Sequence, residues 1–336
     1  MILPAIWLLV FICFLTLLGN LLVILAVYRE TTLHSATYYY IVSLAVADLC
    51  VGIIVIPLAI CFELITPSPF HFLCQLWHIS DVGASTASIL ALCVIALDRY
   101  IAITSPIRYP RSFIARHSSI VIAGIWFCSA IIAGPTIMVL GGQSTSFVSN
   151  RTFINETKSE RCEFPSDPVF ILVSSSVSFY IPLLIMVFVY GRILIFARRQ
   201  MIAFRQEDNL KNTSRKIFSI TITSTLRRTQ TWSRFSREHK ATKVLGVVMG
   251  VFIACWLPFF VFLALTGVFR LNFENSKEQL FRLFTWLGYT NSALNFLLYA
   301  LTSREFRLAF MKLLCPRRYV QRSIKQYAHN QQPQQI

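Results

Sequence analysis

The chain runs to 336 residues, of which 55% are hydrophobic and only 14% charged, with a mean hydropathy of +0.61. One soluble core cannot hide that much apolar surface, so the composition excludes an ordinary soluble domain and points to a bilayer as solvent. A net charge of +16 would suit nucleic acid, but the basic residues flank apolar stretches and form no nucleic-acid-binding motif, which leaves lipid headgroups as their partner.

Seven apolar stretches follow, at about 3–28, 38–62, 74–103, 117–140, 168–198, 241–267 and 281–302. Each is close to or above the roughly 20 residues a helix needs to cross hydrocarbon. The first lacks a basic leader and a small-residue cleavage site, and Gly19-Asn20 carries it toward Arg29, so an uncleaved helix is expected. Almost nothing precedes it, so a peptide-capturing outer domain is not expected. The second span holds Asp48; the third begins at Cys74, holds Asp81 about two turns further in, and ends at Asp98-Arg99-Tyr100.

After the fourth span come two glycosylation sequons, at Asn150 and Asn155, and Cys162, which shares the side of Cys74 and can pair with it in an oxidising compartment. The other span cysteines, Cys13, Cys50, Cys61, Cys93, Cys128 and Cys255, are expected as buried small apolar side chains. In the fifth span Ser174 and Ser178 stack on one helical face, with Ser175 rotated about 100° away. The insert 199–237, rich in Ser, Thr and Arg, reads as a mobile cytoplasmic loop. The sixth span contains Cys255-Trp256-Leu257-Pro258-Phe259-Phe260, where the proline removes a backbone donor and opens space for large rings. Beyond the seventh, Phe306 and Phe310 lie four apart among basic residues, which suits a helix lying in the membrane interface over 304–315. Cys315 at its end is a palmitoylation candidate, and 316–336 is a tail expected to be disordered.

The expected fold is therefore an all-α integral membrane protein: a seven-transmembrane helix bundle over 1–303 with a short amphipathic eighth helix. Arg151, Lys158, Arg161, Arg270, Lys277 and Arg282 fall on one side of the membrane and the rest of the 31 basic residues on the other. The basic side is cytoplasmic, so the N-terminus faces out and the C-terminus in.

Ionisable groups inside spans are costly and need a partner or a task. Asp81 has no Lys or Arg at its depth on another span, so it either takes up a proton or holds a cation from solution. The serines of the fifth span and the rings around Pro258 lie at a similar depth. Serines often bond back to their own helix and aromatic stripes are usually core, but together they can wall a pocket for a flat, polar-edged ligand.

In this order, Gly19-Asn20, Leu44-Ala45-Val46-Ala47-Asp48, Asp98-Arg99-Tyr100, Trp126, Pro182 with Tyr190, Cys255-Trp256-Leu257-Pro258, Asn295 and Tyr299 resemble the rhodopsin-like G-protein-coupled receptors. Within them the chain is similar to the amine receptors, through Asp81, Ser85-Thr86-Ala87-Ser88, Phe259-Phe260, Trp286-Leu287-Gly288-Tyr289 and Asn291-Ser292. The resemblance implies that Asp81 pairs with a ligand ammonium and Tyr289 hydrogen-bonds that carboxylate, with Val82, Ser85, Trp256, Phe260 and Trp286 around it. It implies that Ser174, Ser175 and Ser178 meet the ring hydroxyls of a catecholamine such as dopamine. Arg108-Tyr109-Pro110 and Arg237-Glu238-His239-Lys240 also resemble histamine and trace-amine receptors, and serotonin is a further alternative.

The resemblance also implies a sodium site at Asp48, Ser88, Asn291, Ser292 and Asn295, with no other cofactor. It implies a packing triad of Ile89, Pro182 and Phe252, an inner ion pair from Arg99 to Asp98 and Glu238, and coupling to heterotrimeric G proteins, receptor kinases and arrestin at the plasma membrane. One departure stands out. The family's Asn-Pro-x-x-Tyr is here Asn295-Phe296-Leu297-Leu298-Tyr299, so the seventh helix keeps a backbone hydrogen bond and runs straighter.

A transporter would show interrupted helices and internal repeats, and neither is apparent. An enzyme would show a phosphate loop, a metal-spaced His/Cys set or a nucleophile with its base, and the chain has none of these.

Overall fold

A computed structural model describes residues 2–64, 71–149, 167–214, 246–269, 271 and 277–315. The described residues are almost wholly helical, with no strand among them. We label the helices α1 (Ile2–Arg29), α2 (Ala36–Leu64), α3 (His71–Thr104), α4 (Ser118–Ser149), α5 (Pro168–Ser214), α6 (Gly246–Val268), α7 (Lys277–Thr302) and α8 (Arg304–Leu314). Six of them, α1 to α6, contain stretches long and apolar enough to cross a membrane. Helix α7 is long enough at 26 residues, but Lys277, Glu278, Arg282, Asn291, Ser292 and Asn295 dilute its hydrophobicity. Arg282 near its start meets Glu63 of α2, and Asn291, Ser292 and Asn295 in its inner half are buried in the bundle, so the helix crosses among its neighbours rather than in lipid.

Local chemistry sets the helix starts. Asp167 caps α5 by accepting a hydrogen bond from the Phe170 N–H at 2.7 Å, with Pro168 in the first turn where its missing N–H costs nothing. Ser303 caps α8 in the same way, accepting from the Phe306 N–H at 3.4 Å. Three π-turns widen the helices, at Val51–Val55 in α2, Ser176–Tyr180 in α5 and Ala264–Val268 in α6. The first two each precede a proline, Pro57 and Pro182. A proline ring clashes with the carbonyl four residues back, here Ile53 and Ser178, and widening the turn relieves that clash.

Helix α3 is central, packed against α2, α4 and α5, while α1 packs against α2, α7 and α8. The main core runs through Leu44, Ile89, Phe179, Phe252 and Tyr299. The outward faces remain apolar: Trp7, Phe11, Phe14, Leu184 and Phe188 are all exposed, which suits a hydrocarbon surrounding and no aqueous one. Gly288 gives way to the Trp256 ring, whose nearest atom would lie 2.9 Å from any Cβ there.

Two expectations need correction. The segment 199–214 is not loop but the continuation of α5; its polar composition does not oppose a helix already nucleated in the membrane. The rest of the insert lies outside the described residues. Of the span cysteines, Cys93 and Cys255 are buried, but Cys61 and Cys128 are exposed on the outer faces of their helices. A thiol there needs no packing partner when its surroundings are apolar.

Candidate functional site: a cavity between α3, α5 and α6

Toward one end of the bundle a cavity is lined by Asp81, Val82, Ser85, Thr86 and Ile89 of α3, Ile171, Ser174, Ser175 and Ser178 of α5, and Trp256, Phe259, Phe260 and Leu263 of α6. Its lining of apolar and aromatic side chains with a few polar groups is that of a small-molecule site. Successive turns of α3 deliver Asp81, Ser85 and Ile89 to one face, because residues four apart stack. Across the cavity Ser174, Ser175 and Ser178 of α5 all line the same wall, the first two on the regular helix just outward of the π-turn and the third within it. Ser178 donates its hydroxyl to the Ser174 carbonyl at 2.6 Å.

The third wall is aromatic. The Trp256, Phe259 and Phe260 rings pack edge-on or tilted, with centroids 5.3 to 6.0 Å apart. Phe260 stacks on Phe179 at 4.1 Å, and Tyr180 donates to the Phe260 carbonyl at 3.0 Å, tying α5 to α6. Ile89 and Phe252 are fully buried beneath, and Cys93 donates its thiol to the Pro182 carbonyl at 3.4 Å. Ile89 and Phe252, two of the three residues of the expected triad, share the main core, and Ile89 also lines the cavity.

Tyr289 and Trp286, three apart on α7, pack in a neighbouring cluster with Ile12, Val55, Trp77 and Ala84. Tyr289 lies beside Asp81, with its phenol between that carboxylate and the Trp77 indole, and Asp81 Oδ1 is buried. Packing against Trp77 and the α1–α2 face holds the phenol to that side. Trp77 and its buried neighbour His78 were missed because nothing in their spacing marks them. Thr86, Ile171 and Leu263 read as ordinary helix residues.

A second polar group lies deeper. Asp48, Ser88, Asn291, Ser292 and Asn295 are all buried. Asp48 accepts from Asn295 Nδ2 at 2.7 Å and from Ser88 Oγ at 3.3 Å, while Asn291 Oδ1 and Asn295 Oδ1 have no partner.

At the far end Asp98 is completely buried and held from three sides. Thr37 donates to it at 2.6 Å, Tyr109 at 2.7 Å and Arg99 at 2.7 Å. Arg99 also donates to Thr37 and reaches over the Tyr109 ring. Burial and the neighbouring Asp98 carboxylate push the Tyr109 phenol above its usual range. Thr37 and Tyr109 were not anticipated as Asp98 partners. Tyr100 packs with Ile103, Val189 and Tyr190, and Tyr190 Oη reaches α6 at Gly246, 1.8 Å from where a Cβ would stand. Tyr299 stacks on Phe306 of α8 at 5.3 Å.

The profile described as 7 transmembrane receptor (rhodopsin family) matches residues 19–299. The chain belongs to the rhodopsin-family receptors. Among curated relatives it is 34% identical to Dopamine receptor 2 of Drosophila melanogaster over 90% of the chain and 69% of that protein. It is 36% identical to the Alpha-1A adrenergic receptor of Bos taurus, over 88% of the chain and 64% of that receptor's length. It is 34% identical to the Octopamine receptor beta-2R of Chilo suppressalis, over 91% and 78%.

As a member of this receptor family the protein is a multi-pass membrane protein and not an enzyme. Glu238, Cys162, Asn150, Asn155 and the tail 316–336 lie outside the described residues. Cys74 is disulfide-bonded. Cys315, the C-cap of α8, is a free and exposed thiol.

Proposed function

We propose that this receptor binds a small protonated amine, with Asp81 taking the ammonium. The observation that carries the reading is one buried, unpartnered Asp81 oxygen at the edge of a cavity walled by three aromatic rings. A carboxylate in that position gains most from a cation with N–H donors, by a charge-assisted hydrogen bond, and ring faces add about 0.5–2 kcal/mol of cation–π attraction. The relatives named for dopamine, adrenergic ligands and octopamine support the same class.

The serine wall favours a catecholamine such as dopamine, since its polar ring edge would lie opposite Asp81. The octopamine receptor likeness favours a second reading, a monophenolic amine. A panel of amines tested on cells expressing the chain, with cyclic AMP and calcium readouts, separates them. Asp81→Asn should abolish amine binding at unchanged surface expression; retained binding would overturn the reading.

Signal transmission would run through Trp256, Ile89, Pro182 and Phe252 to the inner end of α6 and to a heterotrimeric G protein, with receptor kinases and arrestin following. The agonist biases this equilibrium only by its differential affinity for the two states. In the resting state Arg99 would be held by Asp98 and, from the inner end of the sixth span, by Glu238. Asp48 with the unpartnered Asn291 and Asn295 oxygens fits a hard cation, and sodium is the reading we favour. The receptor would sit in the plasma membrane with its N-terminus outside, carry a Cys74–Cys162 disulfide and glycans at Asn150 and Asn155, and be palmitoylated at Cys315.

A further inference from the structure

Inside hydrocarbon a hydroxyl has no water to bond, so a tyrosine there needs an acceptor within the protein. Tyr180 of α5 finds one on the next helix, where its Oη donates to the Phe260 carbonyl at 3.0 Å. A helical carbonyl has two lone pairs and its own helix uses one, so α6 loses nothing by accepting. The preceding residue grips the same target. The Phe179 ring stacks on the Phe260 ring at 4.1 Å and 9°, and the Tyr180 ring meets it edge-on at 6.3 Å and 66°. Two successive residues of α5 therefore hold Phe260, one by its ring and the other by ring and backbone.

The tie lies just behind the ligand cavity. Tyr180 itself is half-buried and outside the lining, but Phe260 lines the cavity from α6, and Ser178, two residues outward of Tyr180, lines it from α5. The bond thus fixes how far apart these two walls stand. Two residues inward, the Pro182 carbonyl accepts from Cys93 of α3 at 3.4 Å. This short stretch of α5 is fastened to both of the other walls.

We infer that Tyr180 is a positioning residue that sets the width of the cavity between α5 and α6, and through it the preference for one-ring over two-ring arylalkylamines. This rests on the amine reading above. If the hydroxyl only satisfied itself, phenylalanine in its place would remove the donor and its need together and leave binding as it was. If it positions Phe260, the same change lets the walls part and admits a wider ring system, since a close-packed site resists even one extra methylene.

The test titrates purified full-length receptor calorimetrically with phenethylamine and 2-(2-naphthyl)ethylamine, which share the ammonium and differ by one fused ring. Tyr180→Phe, which keeps the ring and its packing, should move the affinity ratio about fivefold toward the naphthyl probe, the worth of one hydrogen bond. Tyr40→Phe serves as the comparison, because it loses a bond of the same kind, to the Ile114 carbonyl, away from the cavity; it should leave the ratio where it was. An equal change in both probes, a shift toward phenethylamine, or the same shift in Tyr40→Phe would each overturn the role of Tyr180. If phenethylamine does not bind the unmodified receptor, or Asp81→Asn leaves binding intact, the amine reading itself fails and takes the assignment with it. A ratio unmoved by Tyr180→Phe while Asp81 stays essential overturns only the assignment.

Discussion

The ring of Phe296 fills the notch left by the absent side chain of Gly19: a Cβ on Gly19 would stand 1.9 Å from Phe296 Cδ1. One residue along, Asn20 Nδ2 donates to the Ser292 carbonyl at 3.1 Å. That carbonyl lies four residues before Phe296, the acceptor a proline at 296 would have left without its helical partner. Helix α7 runs unbroken through this point, joined to α1 by a ring in a notch and by an amide.

Gly19→Ala should therefore lower stability by about 1–3 kcal/mol, the usual cost of overpacking. In a Phe296→Ala background the same change should cost far less, since the notch is then empty. Thermal unfolding of the four proteins in detergent measures the coupling, and additive losses would show that the two residues are independent.

Tyr109→Phe removes one of the four hydrogen bonds that three residues give Asp98 and frees Arg99 on one side. If this network stabilises the resting receptor, basal nucleotide exchange on the G protein should rise about fivefold, the equivalent of about 1 kcal/mol. An unchanged basal rate with normal expression would mean that the tyrosine is only packing.

Asp48→Asn should remove any difference in agonist affinity between sodium and N-methylglucamine chloride at equal ionic strength. Ser88→Ala, which removes one oxygen donor, should reduce it. By reciprocity, an ion that weakens agonist binding is itself weakened by agonist.

Arg282 joins Glu63 of α2 at 2.9 Å and Glu278 of its own helix at 3.1 Å, but arginine and Glu278 are substantially exposed. Arg282→Ala should cost at most about 1 kcal/mol in thermal unfolding, because solvent screens such pairs. A larger loss would make the triad a true clamp between α2 and α7.

Much of this was legible from the residues because a polar group in an apolar span stands out. Asp81, Asp48, Asp98 and the rings beside Pro258 were found that way; the structure puts Asp81 and the rings on one cavity and the other two carboxylates at separate buried places. What escaped were matters of rotation. Ser175, about 100° round from Ser174, still lines the cavity, and Tyr289 and Trp286 also pack with the Trp77 cluster because α7 is positioned by α1 and α2. Thr86 looked like any helical threonine, since its place on the cavity wall leaves no mark in a sequence. Tyr109 sits in a connecting segment whose approach to Asp98 depends on the tertiary fold.

The wide turn at Ser176–Tyr180 also holds one residue more than an ordinary turn over the same rotation. Deleting a single residue there would let α5 close to an ordinary pitch and leave Ser174 and Ser175 on the wall, because the turn gives up only the residue it had absorbed. The same deletion one turn further out, where no wide turn can absorb it, would swing everything outward of it by about 100° and exchange the face this helix presents to a ligand.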